Sequence, residues 1–411
     1  MKQKLALISS FFSITIVFAS SALSQWVRTD VPLAAQISSF AVAPSGTNLF
    51  AGTTDSGLYL ASYGGLVWAN TGLKTEHINA LALLGNTLFA GVSDDFGDGG
   101  VYFSNDNGHD WTPTTGISTA VFALAVQGTN LFAGTYTSSG IFLTTNNGST
   151  WSPVNNGING PNISALIVSG SNIFAGTDQG IFLSNDKGGS WKPVNTGLPT
   201  NYIGALAAAG NNIFAGTFPN GVFLSTNNGT SWTAVNNGLS GFANSYVTAL
   251  AANGTNIFAG TDSGVFLSTN NGLSWTPENA GLTNDTISVL AVCNSYLYSG
   301  SQFGGGVWER PLSEMISSNA VGTTPLSESR VAAYPNPLTQ STTISFSSPE
   351  SGAAEVTIVN LLGSQVKQIF SGELEAGEHS FEWDASGMPV GMYECIVRMN
   401  GQGQHVPIVL E

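Results

Sequence analysis

Charge is scarce in this 411-residue chain: Asp, Glu, Lys and Arg make up 9% of it, against roughly 25% in an average soluble protein. Cations are the scarcer half, with 10 Lys and Arg against 25 Asp and Glu, for a net charge of −15. So few basic residues offer little to a phosphate backbone or an anionic membrane surface, which excludes nucleic acid as a partner. Two cysteines, Cys293 and Cys395, are too few for a disulfide framework. Cys293 follows Val289-Leu290-Ala291-Val292 and reads as a buried thiol that packs as a small apolar residue. No apolar run reaches the ~20 residues of a spanning helix. Also missing are H-E-x-x-H, C-x-x-C, a phosphate-binding glycine loop and G-x-S-x-G. The four histidines, His77, His109, His379 and His405, are scattered, and only His77 falls in a loop expected to face a channel, which disfavours Ser-His-Asp chemistry.

Glycine, by contrast, is abundant, at 50 residues, and a hydrophobic fraction of 42% suffices for a core. Together with many Asn, Ser and Thr, this composition points to short strands joined by tight turns. At the N-terminus, Lys2 and Lys4 precede the apolar run Leu5 to Ala19 and the small residues Ser20 to Ser24. The expectation is a secretory signal peptide over residues 1–24, cleaved before Gln25, and an exported mature protein without a transmembrane segment.

The dominant pattern is a repeat. Phe-Ala-Gly recurs at Phe50, Phe89, Phe132, Phe174, Phe214 and Phe258, with Tyr298-Ser299-Gly300 as an altered seventh copy. The glycines lie 39, 43, 42, 40, 44 and 40 residues apart, the period of a four-stranded propeller blade rather than of a helical repeat. One unit, Ile163–Val168, Asn172–Thr177, Gly180–Ser184 and Trp191–Val194, reads as four strands with period-2 alternation. Tryptophans give a second count. Trp68, Trp111, Trp151, Trp191, Trp232 and Trp275 open six fourth strands, and the last unit stops after three. The missing tryptophan is Trp26, 42 residues before Trp68, with Leu33 seven residues after it as Leu198, Leu239 and Leu282 follow theirs. The N-terminal strand is therefore expected to complete the last blade and leave no open edge. The fold class that follows is all-β: a seven-bladed β-propeller over residues 25–311, then a polar linker over 312–329 and a small β-sandwich over 330–411.

Between third and fourth strands runs [ST]-x-[DN]-x-G-x-x-W, in copies beginning at Ser104, Thr144, Ser184, Ser225 and Ser268, with a degraded copy around Gly65. Physically this is a self-contained turn: an Asp or Asn bonds its own backbone, Gly takes positive φ, and Trp covers the result. The residues assigned this structural role are Asp106, Gly108, Trp111, Gly148, Trp151, Asp186, Gly188, Trp191, Gly229, Trp232, Gly272 and Trp275. The pattern resembles the Asp-box (BNR-like) turn of sialidases and other exported propellers, in which it is structural and lies away from the catalytic face. Sialidases hold the substrate carboxylate with three arginines; this propeller has only Arg28 and Arg310, and a sialidase is rejected. The repeat wording also looks like that of xyloglucan-cleaving glycosidases, which use two propellers, and of photosystem-assembly propellers, which rely on an arginine-rich face. Only one propeller is present here, and no such face.

After the linker come Tyr334-Pro335-Asn336-Pro337, a strand at Thr343–Phe346, then Val356–Gly363, Gly377–Trp383 and Gly391–Val397. Order and wording resemble the C-terminal sorting domain of the type IX secretion system. The resemblance implies delivery across the outer membrane of a Gram-negative bacterium to its surface or surroundings, with the secretion machinery as partner of residues 330–411. The chain departs from that pattern at its end, His405-Val406-Pro407-Ile408-Val409-Leu410-Glu411, which lacks basic residues.

No catalytic residue is assigned. The loops between second and third strands and between blades share one face and carry Asp55, Glu76, Asp94, Asp95, Asp98, Asp178 and Asp262. On the same loops stand Tyr136, Tyr202, Phe218, Phe242, Tyr246 and Phe303. Asp55, Asp94, Asp95, Asp98, Tyr136, Asp178, Phe218 and Asp262 are the candidate ligand contacts, for a glycan or a protein. No cofactor is assigned; Asp94-Asp95-Phe96-Gly97-Asp98 offers hard oxygens to calcium but too few ligands for a full loop. The expected function is an exported binding or interaction module. The alternatives are a secreted polysaccharide-cleaving enzyme using the acidic loops and a structural surface component.

Overall fold

The computed structural model describes residues 25–29, 35–43, 48–62, 68–73, 77–136, 139–199, 202–239, 246–284, 286–316, 331–336, 338–348, 350–360, 365–399 and 402–410. The expected signal peptide, Leu33, the degraded turn at Gly65, Glu76, Phe242 and the linker after residue 316 lie outside them.

Each repeat folds as an antiparallel sheet in chain order. In the fourth blade, Ile163–Ser169 pairs with Asn172–Thr177, which pairs with Gly180–Ser184, and that with Lys192–Pro193. The second strand is buried on both faces because it lies between two neighbouring blades. This explains the repeated glycine. A Cβ on Gly176 would stand 2.8 Å from the Ile203 side chain of the next blade, so only glycine lets the sheets approach. The outer strand is two residues long and ends in Pro193, which blunts the exposed edge.

Seven such sheets form the ring. Consecutive inner strands pack on one another, and the last, Ile287–Cys293, packs on the first, Ile37–Val42. The seventh sheet has the order Val27–Arg28, Val307–Pro311, Tyr296–Ser301, Ile287–Cys293, with Val27 opposite Glu309 and Arg28 opposite Trp308. The N-terminal strand thus closes the ring. Trp26 is buried among Ala249, Phe258, Val265 and Leu267 of the sixth blade and donates Nε1–H to the Glu278 carbonyl at 2.6 Å.

The other tryptophans show that this contact is the rule. Trp191, Trp232 and Trp275 donate Nε1–H to the carbonyls of Val154, Val194 and Val235, each on the preceding blade, and Trp151 donates to the Thr114 hydroxyl. Trp111 instead donates Nε1–H to the Gly108 carbonyl of its own turn. Those four staple blade to blade, because a fourth strand carries its indole over the neighbour's edge.

The chain does not leave the ring at Pro311, where the polar linker was expected to begin. Leu312–Met315 forms one helical turn, and Leu312 and Met315, three residues apart on one face, bury against the closing blade. Arg310, buried beside it, pairs with Glu278 at 2.9 Å and with Glu314 at 3.9 Å.

The C-terminal region is a sandwich of two sheets. One holds Ala332–Tyr334, Ser341–Ser348 and Gly377–Asp384; the other Gln365–Leu374, Gly352–Asn360, Gly391–Met399 and Gln402–Leu410. Alternating residues of both, Ile344, Phe346, Val356, Ile358, Trp383 and Cys395 among them, make its core. Both cysteines are buried free thiols, which burial pushes up to about 11 for Cys293 and about 12 for Cys395.

Candidate functional site

The ring has two faces. On one, the Ser/Thr-to-Trp turns spend their polar groups on themselves. In the fourth blade the Ser184 hydroxyl accepts the Gly188 N–H at 2.8 Å and donates to Asp186, whose carboxylate accepts the Ser190 N–H and hydroxyl. Those bonds, from Ser190 first and then Ser184, hold the Asp186 carboxyl down to about 2. Asp106 is lowered likewise, Ser104 first. Asn146, Asn227 and Asn270 take the same place, and Gly148, Gly229 and Gly272 donate to Thr144, Ser225 and Ser268.

The opposite face surrounds a central channel of about 240 Å³ lined by all seven inner strands. Every inner strand carries a bulge near its start, at Ser38, Asn79, Phe122, Ser164, Gly204, Thr248 and Ser288. Five of these side chains bridge to the next blade. Ser38 donates to the Ile78 carbonyl, Asn79 to Val121, Ser164 to Ile203, Thr248 to Ile287 and Ser288 to Ile37. The polar belt is broken at the third and fifth blades, by Phe122 and Gly204.

Aromatic side chains gather at those two breaks. Phe122 lies against Tyr136, ring centroids 5.1 Å apart. Phe218 meets Tyr202 edge-on at 6.4 Å and, across the seam to the sixth blade, Tyr246 at 5.1 Å. Burial, then the neighbouring Tyr246 and Tyr136 hydroxyls and the Asp178 carboxylate, push the Tyr202 phenol up. Between the two groups stands the fourth blade's Asp178, which accepts the Asn162 N–H at 3.2 Å and its amide Nδ2–H at 2.9 Å. The structure therefore brings together Tyr136, Asp178 and Phe218 of the expected contacts, with Tyr202 and Tyr246.

The remaining carboxylates are dispersed. Asp94 Oδ1 accepts the Phe96 and Asp98 N–H groups and shapes its own loop, Asp95 pairs with His77 Nε2 at 2.8 Å, and Asp55 accepts the Ser56 hydroxyl. Asp98 is exposed; Asp262 is exposed too, with partial burial pushing its carboxyl up. Among the described residues no three His, Cys, Asp or Glu side chains are grouped to hold a metal ion. The residue missed from sequence was Phe122. Its signal was available: an aromatic in the column where four other repeats carry Ser, Thr or Asn and follow it with Ala or Ser.

Residues 332–410 match the family described as the secretion system C-terminal sorting domain. That domain directs the chain to the cell surface or extracellular space and implies contact with the type IX secretion machinery. No helix of the described residues is long and apolar enough to cross a membrane. No curated protein matches the chain. Among solved structures, the chain is similar to the extracellular domain of the putative hybrid two-component system BT4673 from B. thetaiotaomicron, with 17% identity and a TM-score of 0.57 over 80% of this chain and 45% of that one. It is also similar to the Niastella koreensis GH74 enzyme, with 18% identity and a TM-score of 0.53 over 69% of this chain and 44% of that one. A third is YCF48 bound to D1 peptide, with 14% identity and a TM-score of 0.56 over 72% of this chain and 97% of that one. The chain spans less than half the length of the first two, and at these identities the likeness is one of propeller fold.

Proposed function

We propose that this is an exported binding module whose channel face captures a neutral or cationic ligand on the aromatic rim, with the sorting domain as its delivery address. One observation carries the reading. Among the described propeller residues the exposed large hydrophobics are Val27, Leu273 and six aromatics, Phe96, Phe122, Tyr136, Tyr202, Phe218 and Phe303. All six aromatics stand on the channel face. Phe96 is 92% and Phe303 71% exposed, a cost in water that a covering ligand would offset. Fourteen carboxylates face five basic side chains in residues 25–311 (Arg28, Lys74, Lys187, Lys192 and Arg310), so an anionic ligand is disfavoured.

The test is a glycan and peptide array probed with the full-length chain and three variants. Tyr136→Ala and Phe218→Ala should each weaken binding by roughly tenfold or more, as buried aromatic anchors do. Leu273→Ala, on the turn face, should leave it intact. The reverse pattern would place binding on the wrong face. A polysaccharide-cleaving enzyme is the second reading, motivated by the exposed Asp262 on the channel face, whose carboxyl desolvation pushes up. Release of reducing ends that disappears in Asp262→Asn would carry it.

A further inference from the structure

The rim is uneven in a way that selects a ligand shape. Phe122 with Tyr136 forms one aromatic platform on the third blade; Phe218 with Tyr202 and Tyr246 forms another across the fifth and sixth. The fourth blade between them offers no ring among the described residues and carries the Asn162–Asp178 pair. Building on the binding-module reading above, we propose that this arc takes an internal stretch of an unbranched neutral polysaccharide, laid along the rim from the third blade to the sixth.

The chemistry of a pyranose chain fits each part. A sugar ring presents an apolar C–H face, which stacks on an aromatic, and an equatorial fringe of hydroxyls, which needs acceptors. The rings of the second platform meet edge-on, at 85° and 72°, and Tyr202 and Phe218 remain 42% and 46% exposed. Each Asp178 oxygen takes one bond from Asn162 and retains acceptor capacity for a hydroxyl donor. An ionised carboxylate cannot donate, so it rejects a second acceptor and, by charge, a uronic or sialic acid at that position. Nothing on the described rim offsets that repulsion: Lys187 lies in a turn of the opposite face and Arg310 is committed to Glu278. Because the platforms stand on blades separated by a third, a ligand that uses both must be extended, and its ends need no pocket.

The experiment is calorimetric titration of the full-length chain with cello-, manno- and xylo-oligosaccharides from monomer to hexamer, and with oligogalacturonates of the same lengths. One neutral series should show affinity rising by about tenfold or more once the oligomer spans both platforms, and the acidic series should bind at least about tenfold more weakly. Tyr136→Ala and Phe218→Ala should each abolish the length dependence while leaving the melting temperature unchanged, since both side chains are exposed. A monomer that binds as tightly as the hexamer, an acidic series that binds better, or silence from all three neutral series overturns the proposal. If a peptide ligand instead binds and is lost in the same variants, the proposal falls while the binding-module reading stands. Binding that ignores every rim variant removes both.

Discussion

Ring closure through Trp26 gives the prediction with the largest expected effect. Its indole is 2% exposed, packed between the sixth and seventh blades, and its Nε1–H reaches the Glu278 carbonyl. Trp26→Ala removes that packing and leaves a cavity, at a cost of ~3–5 kcal/mol. The orphaned Glu278 carbonyl adds little, because Arg310 Nη1 also approaches it at 3.4 Å. With each kcal/mol worth roughly 2–4 °C in a domain of this size, the melting temperature should fall by roughly 6–20 °C. Trp26→Phe keeps most of the buried area and loses the donor, so its cost should be nearer ~1 kcal/mol. Calorimetry on the three proteins measures the series, and hydrogen exchange locates it: amides of Val307–Pro311 should lose protection before those of Asn172–Thr177. The reasoning is refuted if Trp26→Ala melts within a degree of the parent, or if protection is lost evenly around the ring.

Three further outcomes can be measured. Asp186 titrates near 2 in the folded state against 3.8 unfolded, so its contribution is complete above about pH 4 and drains away as pH falls toward 2. Asp186→Asn should therefore show a smaller loss of urea midpoint between pH 4 and pH 2 than the parent, and parallel losses would refute the turn assignment. Cys293 and Cys395, buried and pushed up to about 11 and about 12, should resist a disulfide reagent at pH 8 until the protein is unfolded; prompt labelling in the native state would contradict this. A reporter carrying a signal peptide and residues 330–411 should reach the medium or surface in a host with a type IX system and stay periplasmic in a secretion-deficient strain, and equal export from both would sink the address.

The architecture was legible because the repeat writes each constraint many times. Phe-Ala-Gly marks the doubly buried second strand, the tryptophans mark the fourth, and the two counts disagree by one residue only at Trp26, which is how the displaced strand could be found. The destination of each indole was not legible, since the turn pattern says where Trp sits along the chain and not which blade lies across from it. All of the candidate contacts are read from loops that share one face; of these, Tyr136 packs on Phe122, Phe218 on Tyr202 and Tyr246, and Asp178 bonds Asn162, whereas Asp94 and Asp95 bond their own loop and His77. Composition cannot distinguish a carboxylate held by its neighbours from one free to take a ligand.

Closure also decides how the molecule would carry a load. In six blades the strand that hands the chain onward is the outermost, two or three residues long and bonded on one side only. In the seventh, the strand leading toward the sandwich is Val307–Pro311, flanked by Tyr296–Ser301 on one side and Val27–Arg28 on the other. Tension applied through the C-terminal region therefore enters the ring at an interior strand, with Arg310 clamped to the neighbouring blade beside it. Peeling the sheet from its rim, the easy route in an open array of such blades, is not available from that end. A molecule held by its C-terminus while its opposite face grips a long polymer would be pulled at the strand best tied into the ring.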